Sequence, residues 1–391
     1  MIMRFSVYLW REKVLVMNNI YIDEAGNTGA DILIKDGKIA AIEHNIETSA
    51  DNVIEAGKRY VTSGLVDCHT HLGLKGDSQG FEGIDHNEKN DPVTPQMRGL
   101  DGINPLDVTV KEALAHGVTT VGSGPGSTNV FGGTFACIKT YGECVDDMLL
   151  SDSVAMKSAF GENVKRTYND KKKTPMTRMG IAALFREYIF KAKEYLRDKE
   201  SGKNPKFDMK LEALIPVVKK EIPVKAHVHR ADDIMTAVRL AKELDLDMTL
   251  DHCTCAKDVF NSLMKVDYPM IMGPSLGHRG KIELQGKGFD SVALFSNAGK
   301  KIAITTDAPV VPLQYLNICA GLAVRSGMDK WEALRAISLY PASFMKQDHK
   351  VGSIKVGKDA DIVIWNDYPL SNFALPNYVL VNGEVVEGID K

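Results

Sequence analysis

The sequence predicts an α/β fold: a (β/α)8 TIM-like barrel carrying a small discontinuous β-sandwich built from both termini. Three observations predict it. Both ends of the 391-residue chain hold short strand patterns joined by tight turns. Between them, strand and helix patterns alternate for about 280 residues, the length of a closed barrel. Residues of metal-ligand type also recur where the apolar runs end, the face on which a parallel barrel carries its site. An open doubly wound sheet is the alternative arrangement.

The elements follow in chain order. Val14 to Ile20 is an apolar run. Asp31 to Ile42 holds two short runs around Asp36-Gly37, a hairpin signal. Near the other end, Ala360 to Trp365 is one strand pattern, and Asn382-Gly383 joins two more. Termini often lie close together, so residues 1–60 and 346–391 are expected to form one sandwich domain around a barrel of residues 61–345. Barrel strands are expected at Val61–Asp67, Gly117–Gly122, Val154–Glu162, Val224–His229, Met248–His252, Met270–Gly273 and Ile302–Asp307. A further strand is expected between Gly132 and Thr140. Helices are expected at Lys111–His116, Ala231–Leu244 and Trp331–Ser338. A long one is expected at Thr177–Asp198, with Ile181, Leu184, Phe185, Tyr188 and Ile189 on one face. Gly73 to Pro105 follows no period, and a loop of that length reads as functional, such as a lid.

Composition removes several classes. At 44% hydrophobic and 25% charged residues, disorder and collagen are excluded. A net charge of −3 gives no pull towards nucleic acid or an anionic membrane. Six cysteines without a Cys-x-x-Cys pair argue against a disulfide framework or a zinc ribbon. No apolar run reaches the ~20 residues that cross a bilayer. Phe5 to Trp10 is shorter than a signal-peptide core, and charged residues follow it without a cleavage site. A cytoplasmic protein acting on a small molecule is expected, with self-association left open.

The first barrel run ends Asp67-Cys-His69-Thr-His71. Residues i and i+2 of a strand share a side, so both imidazoles can reach one metal. The Val224 run ends His227-Val-His229-Arg230, a second such pair at the same relative position. Two further runs end Asp251-His252 and Thr306-Asp307. Five histidines and one aspartate therefore converge from four strand ends. Imidazole and carboxylate around an open position mark a catalytic set, because structural zinc sites close all four positions. Such ligands suit zinc first, with iron or manganese as options. A divalent metal brings the pKa of a bound water towards ~7. A neighbouring carboxylate can then take its proton and pass it to a leaving amine. His229 shares a face with His227 and is a candidate to touch substrate or to replace it as ligand. Arg230 and Arg279 are candidates to clamp a substrate carboxylate. The Gly-rich stretch from Gly122 to Gly133 reads as a loop lining the barrel mouth.

Taken together, Gly64-Leu-Val-Asp-Cys-His69-Thr-His71, Gly117-Val-Thr-Thr-Val, Ala226-His227, Asp251-His252, Thr306-Asp307 and the tail Val351-Gly-Ser-Ile-Lys-Val-Gly-Lys-Asp-Ala-Asp-Ile-Val resemble the amidohydrolase superfamily. The likeness is greatest to its imidazolonepropionase-related branch. That resemblance implies a distorted barrel with a two-ended sandwich. It implies that His69, His71, His227 and Asp307 hold one metal and that Asp307 is the general base. It further implies that His252 binds a second metal or polarises the substrate carbonyl. Two-metal relatives bridge their ions with a carboxylated lysine or a glutamate. Glu162, placed at a strand end, is the expected bridging ligand; Lys157, five residues earlier and deeper, and a single metal bridged by neither are the alternatives. The expected activity is metal-dependent hydrolysis of a C–N bond in a small cyclic amide or peptide-like substrate. A dipeptidase, a ring deaminase and a non-catalytic scaffold barrel are the competing readings.

Overall fold

The computed structural model describes residues 13–17, 20–21, 29–57 and 59–388. The apolar stretch Phe5 to Trp10, and Asn18 and Asn19 within the first expected run, lie outside these. The barrel strands are β1 (Leu65–Thr70), β2 (Val118–Ser123), β3 (Phe131–Lys139), β4 (Leu149–Ala159), β5 (Val224–Val228), β6 (Met248–His252), β7 (Met270–Met272) and β8 (Ile302–Ile304). They pair strictly in chain order in one eight-stranded sheet. β4 to β8 are parallel, as are β1 and β2. β3 departs from the expected parallel sheet and runs antiparallel to both neighbours. A parallel return needs a crossover of about a dozen residues. The connections on either side of β3, residues 124–130 and 140–148, are shorter than that and allow only reversals.

The sheet nearly closes on itself. Across the seam, the Thr305 hydroxyl donates to the His69 carbonyl at 2.7 Å, and the His71 amide donates to the Ala308 carbonyl at 2.8 Å. The buried carboxylate of Asp67 accepts from the Thr306 amide and hydroxyl, both at 2.8 Å. The bonds that close the barrel therefore also fix the backbones that carry His69, His71 and Asp307.

Two further sheets form the sandwich. One orders Lys38–Glu43, Asp31–Lys35, Lys13–Met17 and Asn52–Glu55. The other orders Glu384–Gly388, Pro376–Val381, Ile362–Trp365, Tyr60–Ser63 and Ile20–Tyr21, so both ends of the chain contribute to it. Ile32, Ile34 and Ile54 pack with Ile362, Ile364 and Leu380 between the sheets. Both expected hairpins form. Their turn pairs, Asp36-Gly37 and Asn382-Gly383, have the positive φ values that two-residue turns demand. The expected Val61–Asp67 strand divides at Gly64. Tyr60–Ser63 pairs with Ile362–Trp365 in the sandwich, and Leu65 begins β1. A Cβ at Gly64 would lie 1.9 Å from the Thr119 hydroxyl, so this crossing tolerates no side chain.

Because β3 is reversed, its last residue, Lys139, lies at the end of the barrel away from the histidines. Its buried ammonium donates to Asp359 at 2.9 Å, to Asp361 at 3.0 Å and to Asn382. This cluster ties barrel to sandwich. The long outer helix spans Arg178–Glu200, opened by Thr177 accepting from the Gly180 amide. Among the described residues, no helix is long and apolar enough to cross a membrane.

Candidate metal centre

All four expected strand ends deliver their side chains to one mouth of the barrel. Two donor groups result: His69, His71 and Asp307, and His227, His229 and His252. Within each group the donor atoms lie within 4.8 Å of one another. The groups abut, with the rings of His69 and His252 4.7 Å apart between centroids.

Four of the five rings are aimed by what holds their outer nitrogen. His71 Nδ1 lies 2.7 Å from the Gly124 carbonyl, and His252 Nδ1 lies 2.7 Å from the Gly273 carbonyl. A carbonyl only accepts, so Nδ1 carries the hydrogen in both. In a neutral ring that leaves Nε2 with its lone pair facing inward. His69 Nδ1 meets the buried Asp251 carboxylate at 2.5 Å, and His229 Nδ1 meets the Thr254 hydroxyl at 2.7 Å. A carboxylate or carbonyl behind an imidazole is how metal-ligating histidines are oriented. His227 Nε2 and His252 Nε2 are buried with no hydrogen-bond partner among the described residues. Orphaned buried acceptors of this kind are costly unless something else satisfies them. Burial, reinforced by neighbouring cations and rings, holds His69, His227 and His252 well below the ordinary imidazole value. His229 is pushed down to about 3, chiefly by burial. The neutral, lone-pair-presenting rings are those a divalent cation requires, so the residues present fit a metal.

The backbone is bent to make this possible. His252, Cys253 and Asp307 adopt positive φ of 73°, 49° and 52°. Such conformations are rare outside glycine and collect at functional sites. The Asp307 amide donates to the Thr305 hydroxyl at 3.0 Å, which helps hold that turn. The Asp307 carboxylate stands 3.4 Å from His71 Nε2 and 3.7 Å from His69 Nε2.

Lys157 joins the two groups. It is fully buried on β4, its Nζ lies 2.9 Å from His69 Nε2, and its charge disfavours protonation of His227, His229 and His252. Glu162, the expected bridging ligand, is not brought to this centre. β4 ends at Ala159, Gly161 turns at φ 89°, and Glu162 opens the helix Glu162–Asp170. Its carboxylate pairs with Arg166 on the outer surface. A lysine one level deeper reaches the centre because its four-carbon stem spans the difference.

The two expected arginine clamps turn elsewhere. Arg230 makes a bidentate pair with Asp232, two residues on. Arg279 donates to the carbonyls of Gln285 and Lys287, bracing its own loop. Sequence reasoning missed several supports: Asp251 behind His69, Lys225 3.1 Å from Asp251, Asp67 across the barrel seam, and Glu283 3.9 Å from His229 Nε2. The Asp251-His252 motif pointed at the first of these; nothing in the sequence pattern pointed at Glu283. In front of the donors opens a cavity of about 370 Å³, walled by His71, His227, His229 and Asp307 and by the loops after β1, β2, β4, β7 and β8.

A barrel of this topology with two donor groups at its mouth defines a class, and the sequence agrees. The chain belongs to the amidohydrolase family, whose model matches residues 60–389. It is 35% identical to an amidohydrolase from Thermotoga maritima MSB8 of known structure, with a TM-score of 0.92, covering 96% of this chain and all of that one. It is 28% identical over 389 residues to the amidohydrolase tasK of Hapsidospora irregularis, covering 90% of this chain but only 39% of that longer protein. It is 26% identical to the imidazolonepropionase of Streptococcus pyogenes serotype M1, covering 88% of this chain and 86% of that one.

Proposed function

We propose that this hydrolase cleaves a C–N bond in a small cyclic amide or peptide-like molecule, using two divalent metal ions. The observation that carries the reading is the pair of abutting three-residue donor groups, with a buried lysine against His69 of the first. His69, His71 and Asp307 would hold one ion, and His227, His229 and His252 the other. Bound ions of this kind polarise a carbonyl and lower the pKa of water, here with zinc the first candidate. Lys157 stands where a shared ligand is needed. Adding CO2 to its neutral amine, with loss of one proton, replaces a cation by an anionic oxygen donor. Asp307 is the carboxylate in the cavity wall, at the place where substrate and donors meet. It takes the proton of the attacking water and returns it to the leaving nitrogen. Asp251 keeps His69 oriented, while the Gly124 and Gly273 carbonyls do the same for His71 and His252. Imidazolonepropionase among the relatives supports a ring amide as substrate.

The test is metal analysis of the purified protein followed by a hydrolysis screen. Hydantoins, other cyclic amides, N-acyl amino acids and dipeptides are offered to zinc-, manganese- and iron-loaded enzyme. The expected result is two metal ions per chain and turnover of at least one ring or peptide-like amide. Less than about 0.2 ion per chain after metal-supplemented expression overturns the reading.

A further inference from the structure

The cavity in front of the donors carries more positive charge than the centre itself explains. Lys75, Lys281 and Lys287 all line it, against Asp307 as the wall's carboxylate. Lys287 stands out. It is only 8% exposed, it comes from the loop after β7, and among the described residues its ammonium has no hydrogen-bond acceptor. Burial draws its pKa down, against the opposing pull of Asp307. Gly277 beside it leaves the ammonium uncovered, since a Cβ there would sit 3.7 Å from Nζ. Lys281 is partly occupied, donating to Asn163 at 2.5 Å and lying 3.9 Å from Glu283. Lys75 has no acceptor among the described residues. Arg230 and Arg279 are committed elsewhere, so among the described residues lining the cavity Lys287 and Lys75 are the cations without a hydrogen-bond acceptor.

We infer that Lys287, supported by Lys75 and Lys281, forms an anion subsite, and that the substrate is a cyclic or peptide-like amide bearing a carboxylate. This rests on the hydrolase reading for the amide and adds the charge and the residue that selects it. A buried ammonium that loses its water and gains a carboxylate forms the strong, charge-assisted kind of hydrogen bond. A neutral substrate would leave that ammonium with the Coulomb pull of Asp307 but without an anionic hydrogen-bond acceptor.

The test pairs acids with their own carboxamides. Hydantoin-5-acetic acid, N-acetylglycine and glycylglycine are each compared with the corresponding primary amide. Equilibrium binding is read by calorimetry and hydrolysis by turnover. The expected result is that at least one acid binds about 10- to 100-fold more tightly than its amide, and that Lys287→Met brings the ratio close to one. Circular dichroism of the variant confirms its fold; should it fail to fold, the wild-type ratios alone decide. If no acid outbinds its amide, including the case in which neither binds, the proposal is overturned. Turnover of neutral amides without acid preference removes the subsite and leaves the hydrolase reading standing. Acid preference in binding with no turnover of any pair does the reverse.

Discussion

Replacing Lys157 by methionine separates the stability of the fold from the assembly of its centre. In the metal-free chain Lys157 is a fully buried cation, drawn from 10.5 down to about 8, first by burial and then by Lys225, against the pull of Asp251 and Asp307. At about 1.4 kcal/mol per pH unit, that fall makes burying the charge a cost of about 3 kcal/mol at neutral pH. Methionine keeps most of the stem and removes the charge. It also removes the contact with His69 Nε2, a loss of about 1 kcal/mol. Metal-stripped Lys157→Met should therefore be more stable than the parent by about 2 kcal/mol. The sign with pH is also set. A lysine whose folded-state pKa is depressed leaves the unfolded chain holding the extra proton between pH 8 and 10.5. The parent should gain stability as pH rises through that window, and the variant should gain none from this residue. With metal the order reverses, since a ligand held at 100 times its Kd stabilises the parent by about 2.7 kcal/mol. Guanidinium unfolding at pH 7 and 10, with and without zinc, reads all of this, and mass spectrometry counts metal. A metal-stripped variant less stable than the parent, or a variant that binds metal as the parent does, refutes the reasoning.

The remaining predictions concern other parts of the molecule. Asp307→Asn should keep much of its metal and lose about 10²- to 10⁴-fold in turnover, read by metal analysis beside steady-state kinetics; activity close to the parent's removes its role as proton carrier. Asp251→Asn leaves His69 without its carboxylate at Nδ1 and should weaken metal binding about 10- to 100-fold, read by chelator competition. Lys139→Met leaves the buried Asp361 without its cation at the junction of barrel and sandwich, while Asp359 keeps Lys38, and should cost about 3–5 kcal/mol in denaturant unfolding. Its distance from the mouth predicts unchanged turnover for the folded fraction.

What could be read in advance depended on whether a feature is local. The two His-x-His pairs were legible because alternation along a strand puts i and i+2 on one side wherever the strand lies. The hairpins at Asp36-Gly37 and Asn382-Gly383 were legible because turn chemistry is written in two residues. The direction of β3 was also legible in principle, since its short connections rule out a crossover. The choice between Glu162 and Lys157 was not. It depends on where β4 stops and on how far a side chain reaches, and both are settled by neighbours. Ala159 is the last residue of β4 to pair, opposite His227 on β5; beyond it Gly161 turns the chain outward, and Arg166 one helical turn on claims the Glu162 carboxylate. Residue type and strand position said only that at most one of the two groups would serve. The arginines divide: the Arg230 pair with Asp232, two residues on, was legible in principle, while Arg279 is spent on the Gln285 and Lys287 carbonyls of its own loop, which only the folded loop decides. Lys75 has Asp77 two residues on and Lys287 has Asp290 three residues on, yet neither pair is made, Asp290 being taken by Lys257. Which local acid answers a cation is therefore settled by the fold and not by spacing, and periodicity cannot find the cations left facing the cavity.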